Sequence, residues 1–170
     1  MIVSNSSTLI LLSKISLLRE FLENSPKIII PEEVEEEILN SESFDAKVLQ
    51  KEIQEKKIVV KKGKIKGMDA VIKEFHLDIG EAAAFCIFNE KEHSAILTDD
   101  KELMKVCKIC QIQFACAMGI VLRMYELKQI SKDDALKKME HLKQIGRYSD
   151  KLYDHYINEV EKNGNNVSKA

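Results

Sequence analysis

The sequence predicts an α/β protein with a parallel sheet covered on both faces. Two observations carry this expectation: short, continuously apolar β-branched runs such as Lys27-Ile28-Ile29-Ile30 and Ala95-Ile96-Leu97-Thr98, and longer stretches of helical periodicity between them. Composition agrees, because 170 residues with 45% apolar and 32% charged content suffice for one globular domain with a proper core.

The first strand is expected at Ile2-Val3. From Thr8 onward, Leu9, Leu12, Leu17, Leu18 and Leu22, with Ile10 and Ile15, fit a single interior helix. Ser13, Lys14 and Ser16 interrupt this stretch, which falls short of the ~18 to 20 apolar residues of a membrane span. It also lacks the basic leader and small-residue cleavage site of a signal peptide, so folding is expected to begin at the first residue. After the Ile28 run, Pro31 suits the first position of a helix from Glu32 to Leu39, whose acids complement the N-terminal dipole. A helix over Asp45 to Glu55 and a strand or edge at Ile58-Val59-Val60 follow. Gly63 and Gly67 punctuate a lysine-rich stretch. Helices are expected at Met68 to Phe75, Glu81 to Lys91 and Lys101 to Cys110, with strands at Ala95 to Thr98 and Ile112 to Ala115. Met118 to Leu127, Lys132 to Leu142 and Asp150 to Glu161 close the chain as helices. The expected organisation is one domain over 1–162, with a helical extension from about 131 and a disordered tail over 163–170.

Net charge is only −2, so nucleic-acid binding would need a local basic patch rather than a global field. Lys56, Lys57, Lys61, Lys62, Lys64 and Lys66 form one such stretch, with Lys101 further along. A solvated edge guarded by lysine accounts for the first six better than a phosphate-tracking patch does. With no tryptophan and 6% aromatics, no base-stacking platform is evident. Cys86, Cys107, Cys110 and Cys116 lie among apolar residues, which suits buried thiols in a reduced, cytoplasmic protein better than a disulfide framework or a zinc site. The four histidines read as surface or cap residues.

Acidic residues recur where strands hand over to helices, with an amide, Asn5, at the first such corner. Ligands in a parallel sheet gather beyond the carboxyl ends of the strands, where Asn5 and Asp99-Asp100 fall. In the helix from Glu32, taking Val34 as zero puts Ile38 near 40°, Glu37 near −60° and Glu36 near 200° at about 3.6 residues per turn. Glu37 therefore borders the buried stripe, and a solvated acidic first turn is the competing reading. Asp78-Ile79-Gly80-Glu81 has the form of a capping box, so Glu81 either closes a helix or faces a site. One of Asp99 and Asp100 suffices for an N-cap.

Together these segments resemble the PIN-domain nucleases, and a branch close to the VapC-type toxins. The resemblance rests on Val-Ser-Asn-Ser-Ser-Thr-Leu-Ile-Leu-Leu at the start, Ile-Ile-Pro-Glu-Glu-Val-Glu-Glu-Glu-Ile, Leu-Asp-Ile-Gly-Glu-Ala-Ala-Ala-Phe, Ile-Leu-Thr-Asp-Asp-Lys and Met-Gly-Ile-Val-Leu, and extends to about residue 160. It implies a three-layer α/β/α sandwich and a metal-dependent endoribonuclease acting through Mg²⁺ or Mn²⁺. Asn5, Glu37, Glu81 and Asp100 would be the metal ligands, and Glu37, Glu81, Asp99 and Asp100 the catalytic acids. Ser6, Ser7 and Thr98 would support them, with Ser6 or Ser7 orienting the first corner. Lys61, Lys62, Lys64 and Lys101 would face RNA, a homodimer is the expected assembly, and an antitoxin is the expected partner. Asn5 departs from the acid the family places there. A unit charge about 4 Å from another contributes on the order of 4 kcal/mol before desolvation at an effective dielectric near 20, so the amide weakens cation binding. A catalytically silent PIN-fold module that binds RNA or protein is the alternative.

Overall fold

In a computed structural model, residues 1–62 and 67–167 are described. Expectations for Gly63, Lys64, Lys66 and the last three residues of the tail lie outside them. The chain divides into two compact units, Met1–Ala115 and Cys116–Ala170.

The first unit holds a parallel sheet of β1 (Ile2–Ser4), β2 (Ile28–Pro31), β3 (Ile58–Lys61), β4 (Ile96–Leu97) and β5 (Phe114–Ala115) in the order β3-β2-β1-β4-β5. β1 pairs with β2 through Ile2↔Ile28 and Val3↔Ile29, and with β4 through Val3↔Ile96 and Ser4↔Leu97. Successive side chains of a strand face opposite sides, and the continuous apolar runs feed both. Val3, Ile29 and Ile96 enter one core with Leu77, Ala82, Ala84, Leu103 and Val106. That face is covered by α5 (Met68–Phe75), α6 (Ile79–Ile87) and α7 (Lys101–Ile109). On the other side, α4 (Phe44–Gln54) packs on β3 and on α1 (Ser6–Lys14). These layers give the three-layer α/β/α arrangement.

Some local expectations are corrected. The apolar stretch after Thr8 is two helices, α1 and α2 (Leu18–Asn24), because Ser16 takes a left-handed conformation with φ 54° that ends the first. Pro31 ends β2 and occupies the cap position of α3 (Glu32–Asn40), one residue before the helix proper. α6 stops at Ile87 rather than Lys91, since Asn89 closes a turn by accepting the His93 backbone N–H at 2.8 Å. His93 is neither a surface nor a cap residue. It is 3% exposed, with Nδ1 accepting the Asn89 N–H at 2.9 Å and its ring against Phe88, and burial depresses its pKa. The thiols also divide: Cys107 and Cys116 are buried, Cys86 is partly so, and Cys110, just past the last buried position of α7, is exposed.

In the second unit α8 (Ala117–Glu126), α9 (Lys132–Ile145) and α10 (Asp150–Val167) pack on one another. α10 continues past Glu161 into the segment expected as tail. Gly119 has no side chain where a Cβ would lie 3.2 Å from the Tyr156 hydroxyl, which lets α8 and α10 approach closely.

Ile30→Ala, at a fully buried position of β2, is expected to lower unfolding free energy by about 2–5 kcal/mol in urea titration. Ile109→Ala, at 71% exposure, should stay within about 0.5 kcal/mol.

Candidate active site

Strand order reverses between β1 and β4, and the residues that follow these two strands meet at their carboxyl ends. Asn5 caps α1 directly after β1, and Thr98-Asp99-Asp100 joins β4 to α7. Hydroxyls tie the two ends together. The Asn5 Nδ2 donates to Thr98 Oγ1 at 3.1 Å, and the same oxygen accepts the Asp100 N–H at 3.0 Å. Ser7 Oγ donates to Asn5 Oδ1 at 2.8 Å and accepts the Asp99 N–H at 3.1 Å. The amide is buried and satisfied at both ends.

The three hydroxyl residues opening α1 reach three different corners. Besides Ser7, Ser6 Oγ donates to Glu37 Oε1 at 2.9 Å, and Thr8 Oγ1 donates to Asp99 Oδ2 at 2.7 Å. Ser7 is thus the residue that orients the first corner, while Ser6 holds the α3 acid. Glu37 and Glu36 are both exposed, so the wheel position of Glu37 gives a direction toward Ser6 without depth. Its Oε2 lies 3.3 Å from where a Gly80 Cβ would be, so α3 and the start of α6 approach closely at a residue without a side chain.

Of the two roles anticipated for Glu81, the cap is seen directly. Glu81 closes the capping box, with its N–H donating to Asp78 Oδ1 at 2.7 Å and its Oε2 accepting the Asp78 N–H at 3.0 Å. It is also half-buried, with Asp100 near enough to act on its charge. Burial first, then the charges of Asp78 and Asp100, push its pKa up to about 7. Asp100 itself caps α7 by accepting the Leu103 N–H at 2.8 Å. Among the lysines, Lys61 ends β3 at the same sheet edge, Lys62 follows it, and Lys101 opens α7. All three are exposed.

The family model described as DUF3368, PIN domain, matches residues 1–162. The chain belongs to the PIN-domain family. No curated protein and no solved structure gives a significant match.

PIN domains are a nuclease-type fold that generally uses divalent metal ions, so the donors of this PIN domain have to be compared with such an ion. They are all oxygens, which suits a hard cation in kind, and Glu81 with Asp100 forms a carboxylate pair whose repulsion a cation would relieve. The set is incomplete in number. Among the described residues no three His, Cys, Asp or Glu side chains form a group able to hold a metal ion, because Glu37 is turned to Ser6 and Asp99 to Thr8. Thr8 was not anticipated. Its only signal in the sequence is a third consecutive hydroxyl at the head of an otherwise apolar helix.

The sign of the Glu81 shift gives a stability prediction. A carboxyl whose folded pKa is raised from 4.5 to about 7 favours the folded state below pH ~4.5, and this contribution is lost as pH rises through about 7. Glu81→Gln keeps an oxygen for the Asp78 N–H and removes the charge. The expected result is a smaller fall in Tm between pH 5 and pH 8 than the parent shows, read by thermal melts in metal-free buffer.

Proposed function

We propose that this chain is a divalent-cation-assisted ribonuclease of the PIN type whose reacting centre lies between Glu81 and Asp100. The observation that carries the reading is this carboxylate pair, forced together at the reversal of strand order. The chemistry a divalent cation supplies when bound is neutralisation of the scissile phosphate and acidification of the attacking water. Glu81, Asp100 and the Asn5 amide oxygen would hold it, and Mg²⁺ and Mn²⁺ are the ions that such oxygens suit.

The other residues position these groups. Ser7 aims the Asn5 oxygen, and Thr98 fixes the Asp100 backbone. Thr8 and Ser7 hold Asp99, and Ser6 holds Glu37. Those two acids flank the pair as the remaining candidates for the catalytic set. Exposed Lys61, Lys62 and Lys101 supply positive charge for an RNA backbone. Four free cysteines suit a reduced, cytoplasmic setting. A toxin role, with an antitoxin partner and a homodimeric assembly, rests on the VapC-like resemblance of the motifs alone.

A second reading is supported by Asn5 and by the absence of a three-acid group among the described residues. In it, the chain is a catalytically silent PIN-fold module that binds RNA or protein. One experiment separates the two. Asn5→Asp is isosteric and keeps the hydroxyl bridge, because Thr98 can turn its own proton to the new oxygen. In a cleavage assay on a mixed RNA pool with Mn²⁺, the nuclease reading predicts cutting by the parent chain, at least about tenfold faster in Asn5→Asp, and a loss of about a hundredfold or more in Asp100→Ala. RNA left uncut by both the parent and Asn5→Asp, with neither binding Mn²⁺, would favour the silent module.

A further inference from the structure

The end of α7 holds the pair Cys107-Lys108-Ile109-Cys110, which the proposed active site leaves unused. Its backbone is fixed by a Schellman motif. The Ile112 N–H donates to the Cys107 carbonyl at 2.8 Å and the Gln111 N–H to the Lys108 carbonyl at 3.3 Å, with Gln111 left-handed at φ 58°. The Cys110 N–H still donates to the Val106 carbonyl at 2.9 Å, so both cysteines lie on one helical turn. Residues three apart on such a turn have Cα atoms about 5 Å apart, inside the ~4.4–6.8 Å that a disulfide spans.

The two thiols differ in access. Cys107 is fully buried in the core with Ile96, Leu103 and Val106, whereas Cys110 is exposed. Burial, and then the charge of the neighbouring Cys110, push the Cys107 thiol up to about 11. Among the described residues no three His, Cys, Asp or Glu side chains form a group able to hold a metal ion, so the pair lacks the further ligands of a zinc site. It also differs from the dithiol of an oxidoreductase, whose reactive thiol has a lowered pKa. The C-terminal end of a helix is the negative end of its dipole and disfavours a thiolate. A dithiol whose reduced form is not stabilised as a thiolate keeps its disulfide instead of passing it to other proteins.

We propose that Cys107 and Cys110 form an oxidative modification site, closing a reversible disulfide across the end of α7 in response to a peroxide. Cys110, the accessible thiol, takes an oxygen atom from hydrogen peroxide and becomes a sulfenic acid, releasing one water. Cys107 Sγ then attacks Cys110 Sγ. The S–S bond forms, the S–OH bond breaks, and the hydroxyl leaves with the Cys107 proton as a second water. Two thiols are oxidised and one peroxide is reduced. The buried Cys107 meets no oxidant itself and serves as the resolving group. Where thiols are normally kept reduced, such a bridge is transient and answers to oxidant. It staples the helix end that leads into β5, and it stands whether or not the carboxylate site cleaves RNA.

The test treats the reduced full chain with a small molar excess of hydrogen peroxide, unfolds it, blocks the remaining thiols with iodoacetamide, and reads intact mass and peptide map. The expected result is a chain that has lost two hydrogens, with Cys107 and Cys110 both protected, Cys86 and Cys116 alkylated, and all four thiols recovered with dithiothreitol. In Cys107→Ala the reaction should stop at a Cys110 sulfenic acid that dimedone traps. In Cys110→Ala residue 107 should stay unmodified by peroxide, and circular dichroism of both variants should match the parent. Disulfides between chains in place of the internal one, a bridge to Cys86 or Cys116, the same mass loss in Cys110→Ala, or Cys107 still open to alkylation after peroxide would each overturn the proposal.

Discussion

The pairing of β1 with β4 is the constraint on which the site depends. Parallel strands must be joined by crossovers, and where successive crossovers leave the sheet in opposite directions, two strand ends lie side by side with nothing above them. Here those ends are Asn5 and Thr98. Both are buried, so their polar atoms need partners, and they are satisfied largely by each other and by Ser7. Once that bridge forms, the directions of Asp99 and Asp100 are set by the backbone N–H groups that Ser7 and Thr98 accept. Asp100 is then committed to capping α7, and Glu81, locked into its own capping box, is left facing it.

This arrangement explains why the acids behave differently although they lie at one end of the sheet. Two of them accept a hydroxyl hydrogen bond, Glu37 from Ser6 and Asp99 from Thr8. Burial beside other carboxylates disfavours the ionised form of a carboxyl. Glu81 feels this effect, and its raised pKa marks a place where the site is electrostatically unfinished. An aspartate in place of Asn5 would add another negative charge to this corner. The amide removes that charge while keeping an oxygen in the same bridge.

The sheet was legible because buried parallel strands are apolar on both faces, and Ile28-Ile29-Ile30 or Ile96-Leu97 leave little else to predict. The place of Asp99-Asp100 directly after β4 was also legible, through position after a strand, whereas Glu37, expected to border the buried stripe, is exposed. The parts that were not visible depend on single backbone angles or on partners distant in sequence. The break at Ser16 keeps the leucines of α1 and α2 apolar on both sides of it, so periodicity does not register the interruption. Thr8 reads as filler in an apolar helix until Asp99, far along the chain, is brought against it. His93 is polar by composition and interior by circumstance, because a turn starting at Asn89 folds it onto Phe88. Glu81 could not be resolved into cap or site residue from sequence, since the capping spacing and a position near Asp100 fall on one residue.

The most direct test of this account is diffraction from crystals of the chain soaked in Mn²⁺. Anomalous density between the Glu81 and Asp100 carboxylates, on the side reached by the Asn5 amide oxygen, is the predicted result. Mn²⁺ bound elsewhere on the chain, or no ion beside the two carboxylates at saturating Mn²⁺, would contradict it.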